Sequence, residues 1–135
     1  MKVLYSVLAL VFVSLSLGCS QAPHLRGTWE LVSPAPPAGG TAESGGTLNT
    51  IKVLNDTHFV VVVPRADGRP LVGGGTYRLN GSTYTEMIDF HYVPGLERKS
   101  IDFDCRLEGN LWYHAGTVEA DGSAIQIKEI WRRVD

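Results

Sequence analysis

The chain has 135 residues, with 12 Lys and Arg against 14 Asp and Glu and a formal net charge of −2. Charge this close to balance, with no basic stripe, excludes a surface that binds nucleic acid through its phosphates. Two cysteines, Cys19 and Cys105, exclude the disulfide framework that holds many small secreted domains.

The N-terminus reads as a signal segment. Lys2 supplies a positive charge, and Val3 to Leu17 form an apolar run. The run is shorter than the roughly 20 residues a membrane span needs, so it suits the apolar stretch of a secretory signal. Leu15-Ser16-Leu17-Gly18-Cys19 resembles the lipobox of bacterial lipoproteins in its looser form. That resemblance implies removal of residues 1–18, acyl chains on Cys19 and a tether to a membrane of the cell envelope. Cleavage nearby with an unmodified thiol is the plainer alternative. Residues 19–26 would be a short tether, and 27–135 one domain large enough for a single core.

Eight strands are expected in that domain. Strand one covers Gly27 to Ser33. A long Pro- and Gly-rich loop follows, from Pro34 to Gly46. Strand two runs about Leu48 to Leu54, strand three Thr57 to Val63, and strand four Val72 to Leu79. Asn80-Gly81 is the strongest hairpin signal in the chain. Strand five spans Ser82 to Tyr92, strand six Lys99 to Leu107, strand seven Leu111 to Glu119, and strand eight Ala124 to Val134. Short strands joined by tight turns predict an all-β antiparallel meander. Eight of them can close into a barrel, which leaves no open edge. Such a barrel is either filled by side chains or holds one small ligand.

Gly27-Thr28-Trp29-Glu30-Leu31-Val32, Asp56-Thr57-His58-Phe59, Gly74-Gly75-Thr76-Tyr77, Tyr84-Thr85-Glu86, Trp112-Tyr113-His114 and Glu129-Ile130-Trp131-Arg132-Arg133 together resemble the lipocalin-like families of small bacterial secreted proteins, within the calycin architecture. The resemblance implies an up-and-down eight-stranded barrel. It also implies that Trp29 packs beneath a basic residue of the last strand, Arg132 or Arg133, where the barrel closes.

Alternation sorts the side chains by face. On strand six Ile101, Phe103, Cys105 and Leu107 oppose Asp102, Asp104, Arg106 and Glu108, so the first set faces in. Cys105 then reads as a small buried apolar residue. Strand five puts Tyr84, Glu86, Ile88 and Phe90 inward, and strand four Gly75, Tyr77 and Leu79. On strand seven the resemblance favours Trp112 and His114 inward. Strand eight places Ile125, Ile127, Glu129, Trp131 and Arg133 together. An interior Glu129 needs a partner, either Arg133 or a ligand cation, unless it sits at a wet rim.

The predicted lining is apolar at Phe90, Phe103, Trp112, Ile127 and Trp131, and polar at Tyr77, Tyr84, Glu86, His114 and Glu129. A few polar groups in an apolar cavity suit a small apolar or amphipathic molecule. Tyr77, Tyr84, Glu86, His114 and Glu129 would orient it, with Trp112 and Trp131 packed on it. The competing reading is a filled barrel that serves as an interaction module in the envelope. Glu86 with His114, and Tyr84 as donor, make either a general acid–base set or a structural network. The four histidines show no paired spacing for a metal, and no cofactor motif is present. Gly73-Gly74-Gly75 suggests strand curvature or a bulge. In Val60-Val61-Val62-Val63 two valines should face out, which points either to cover by the Pro- and Gly-rich loop or to a homodimer interface.

Overall fold

A computed structural model describes residues 24–34 and 49–135. The signal segment, Cys19, most of the tether and Leu48, the first residue expected in strand two, lie outside the described residues. Eight strands follow in order: β1 Gly27–Pro34, β2 Ile51–Leu54, β3 His58–Val63, β4 Leu71–Asn80, β5 Thr83–Phe90, β6 Ser100–Glu108, β7 Leu111–Ala120 and β8 Ser123–Arg133. Each pairs antiparallel with its neighbour, and β8 pairs back onto β1. The result is a closed up-and-down barrel of the lipocalin-like kind.

Local chemistry explains the turns. Gly81-Ser82 is flanked by the pair Asn80↔Thr83, and Gly81 has φ +60°. Glycine therefore takes the first central position of the hairpin, one place earlier than an Asn-Gly turn would put it. On β6 the expected alternation holds, with Ile101, Phe103 and Cys105 buried and Asp102, Asp104 and Arg106 exposed.

β5 departs from simple parity. Gly74 pairs with Phe90 and Gly75 with Ile88, so Asp89 is an extra residue on β5. This bulge reverses the faces beyond it. Phe90, expected inside, is 47% exposed, and its neighbour His91, which strict alternation would set on the opposite face, turns toward the interior. Gly75 permits the bulge, since a Cβ there would lie 2.0 Å from the Met87 carbonyl oxygen. On β3, Val60 and Val62 share a register-defined outer row with Val53 and Ile51 of β2, and Val53, Val60, Val72 and Phe90 are exposed.

One end of the barrel is plugged. Leu25, Trp29, Leu54, Phe59, Tyr84 and Trp112 are all buried there. Trp29 meets Trp112 edge-on with ring centroids 5.5 Å apart, and its indole N–H donates to the Leu25 carbonyl at 2.8 Å. Arg133 covers the Trp29 ring at 4.3 Å and donates to the carbonyls of His24 and Arg26. Arg132 lies outside and pairs with Glu30 at 2.7 Å. Of the two arginines considered, Arg133 makes the closure.

The bulge yields a stability prediction. Gly75→Ala should cost about 2 kcal/mol or more, because the new methyl meets backbone that cannot yield locally. Gly68→Ala should cost about 1 kcal/mol, since only its φ of +74° is unfavourable and nothing lies within 4 Å. Urea denaturation of both variants checks the order, and equal losses would refute the steric account.

Candidate functional site: the interior cavity

The other half of the barrel is hollow. A cavity of about 690 Å³ extends from the middle of the barrel to its rim. Its wall is hydrocarbon from Val61, Val63, Ile88, Ile101, Ile125 and Ile127, and it reaches the rim at Pro64, Arg65, Tyr92 and Pro94.

The floor is charged. Lys52 on β2 sits 2.9 Å from Glu86 Oε1 on β5, with side-chain exposures of 5% and 8%. The Tyr84 hydroxyl donates to the same oxygen at 3.0 Å. The Lys52 ammonium also lies 5.1–5.9 Å from the ring centroids of Trp131, Trp112, Phe59 and Tyr84, within cation–π range. A second pair lies beside the first. His114 on β7 and Glu129 on β8 are direct cross-strand partners, and Nδ1 lies 3.0 Å from Glu129 Oε2. The Trp131 indole N–H donates to that oxygen as well, at 3.0 Å. Burial works to raise the Glu129 carboxyl, but the contacts from His114, the charge of Lys52 and the Trp131 bond outweigh it and hold the group below its ordinary value.

The neutral groups complete the electrostatics. Burial pushes the Cys105 thiol up to about 11, and it raises Tyr84 and Tyr92. Burial also lowers His91, whose Nδ1 accepts the Val93 N–H at 3.0 Å. No group of three or more His, Cys, Asp or Glu among the described residues is placed to hold a metal ion.

The seven residues expected at the ligand divide by depth. Glu86, His114, Glu129 and Trp131 line the cavity. Tyr84 and Trp112 are fully buried and pack beneath it, in edge contact at 5.1 Å. Tyr77 is not at the cavity, because its hydroxyl donates to the Asn55 carbonyl at 2.6 Å near the plugged end. Glu86 and His114 are not paired with each other, since each has taken a different partner. Arg133, considered as a partner for Glu129, is committed to Trp29.

Residues 24–135 match the family described as "Domain of unknown function (DUF4488)". The chain belongs to that family. A lipocalin-like protein from Bacteroides uniformis ATCC 8492 has a similar structure, with TM-score 0.56 and 19% identity, covering 82% of this chain and 98% of the other. An uncharacterized protein from Bacteroides eggerthii DSM 20697 is similar at TM-score 0.53 and 12% identity, covering 81% and 98%. No curated protein matches the chain. At these identities the likeness shows the barrel fold and leaves the residues of its floor to be read from this chain.

Lys52 is the floor residue that sequence patterning missed. Ile51 and Val53 flank it, so alternation alone points the lysine outward. Pairing decides otherwise, because Lys52 stands opposite Trp29 on β1 and Val61 on β3, and cross-strand partners share a face.

The buried Lys52–Glu86 pair should show strong coupling. Lys52→Met or Glu86→Leu alone strands a buried charge and should cost about 3–5 kcal/mol. The double substitution, which removes both charges, should cost less than either single change. Denaturant unfolding of the three variants tests this, and additive losses would show that the pair is not coupled.

Proposed function

We propose that this barrel takes up a small apolar or amphipathic molecule in its interior cavity. The carrying observation is the cavity of about 690 Å³ with a hydrocarbon wall and a cluster of ionised groups at its floor. That volume lies within the usual range for small-molecule sites, roughly 300–1,000 Å³. The wall supplies apolar burial, and Glu86, His114 and Glu129 with Trp131 give the floor its direction.

Catalysis has weaker support. His114 Nε2 is buried, with no hydrogen-bond partner among the described residues. A general base must reach the proton it removes, and this nitrogen has no accessible surface from which to do so.

The N-terminal segment supports export, and its lipobox-like end supports anchoring through Cys19. Two acyl chains, at about 0.8 kcal/mol per buried methylene, would hold the domain at a membrane.

Binding of the neutral fluorescent probe N-phenyl-1-naphthylamine should saturate with one site per chain. Ile127→Trp fills the cavity and should weaken binding at least about tenfold, equivalent to 1.4 kcal/mol. Undiminished binding to a folded Ile127→Trp variant would place the probe elsewhere and sink the cavity reading. In cell fractionation, Cys19→Ser should move the protein out of the membrane fraction. Persistence in that fraction would rule out the acyl anchor.

A further inference from the structure

The charges on the cavity floor do not cancel. Lys52 is positive, and Glu86 and Glu129 are negative. With His114 neutral the floor carries one net negative charge, and with His114 protonated it carries none. The other titratable groups facing it leave that balance unchanged. Tyr84 below, Tyr92 toward the rim and Cys105 on β6 all have raised values and stay neutral. His91 is lowered by burial, and Arg65 at the rim is paired with Asp67 at 3.3 Å.

The two carboxylates differ in what they can still accept. Glu86 is bonded to Lys52 and Tyr84 under a nearly closed surface. The Glu129 side chain is 20% exposed. Its Oε2 takes both the His114 and Trp131 contacts, and among the described residues nothing donates to Oε1. Lys52, the one permanent cation of the floor among the described residues, is 5% exposed and already held by Glu86 and the four rings.

We infer that the ligand is an amphipathic amine, its ammonium seated on Glu129 in the charged floor and its apolar portion along the hydrocarbon wall. This rests on the cavity-binding reading and names its chemical class. An ammonium supplies N–H donors to the unused carboxylate oxygen and offsets the second carboxylate, for which Lys52 alone does not compensate. Trp131, bonded to the same carboxylate, offers a ring beside the cation. An anionic head would double the uncompensated charge and would compete with Glu86 for Lys52.

Titration calorimetry of the full chain with n-octylamine, 1-octanol and octanoate separates the possibilities. At pH 8 octylamine should bind at least about tenfold more tightly than octanol, and octanoate most weakly. Glu129→Gln should erase the amine preference and keep octanol binding. Octanoate binding as tightly as octylamine, or an amine preference that survives Glu129→Gln, overturns the amine and leaves the cavity reading standing. Failure of all three probes overturns both. If Glu129→Gln does not fold, the ranking of the three probes by the unaltered protein decides the matter.

Discussion

A lysine ammonium buried among four aromatic rings and joined to one carboxylate governs this barrel. Lys52 and Glu86 lie about midway along the interior, 2.9 Å apart. Below them the rings of Trp29, Tyr84 and Trp112 pack against one another, and above them the interior opens. An ammonium at this depth is tolerable only because a carboxylate and several π faces replace its water. The same pair therefore serves as the lid of the packed half and the floor of the hollow half.

Closure of the plugged end follows a similar logic. Arg133 spreads over Trp29 and donates to the carbonyls of the entering chain. A planar guanidinium can stack and donate at once, and a lysine ammonium lacks that planar fork. Asp135 accepts the Thr28 N–H at 2.9 Å, which ties the end of the chain to its first strand. These bonds satisfy backbone groups that would otherwise be left without partners at the seam. They hold the aromatic plug in place, and the plug supports the charged floor.

The floor itself mixes legible and illegible residues. Glu86, Glu129 and Trp131 were readable from alternation on β5 and β8, and His114 from the lipocalin-like resemblance, because both faces of β7 are partly apolar. Their partners were not readable. Glu86 and His114 look like a natural pair on paper, yet His114 lies directly across from Glu129 while Glu86 turns to Lys52 and Tyr84. Lys52 was hidden because Ile51 and Val53 on either side mimic an inward-facing apolar set. Phe90 and His91 exchanged faces because parity counting assumes an unbroken ladder, and the extra Asp89 breaks it.

The sequence by itself determined the number and order of the strands, their antiparallel meander and the aromatic character of the interior. Those properties come from local signals: period-two alternation, turn residues, and glycines where the backbone bends. Only the tertiary structure decided which half of the barrel is full, which ionised groups meet at its middle, and which arginine seals it. Those outcomes depend on cross-strand register, which brings Trp29 opposite Lys52 and His114 opposite Glu129. A shift of one residue in any pairing would turn these side chains to the other face, and no local run of residues specifies that choice.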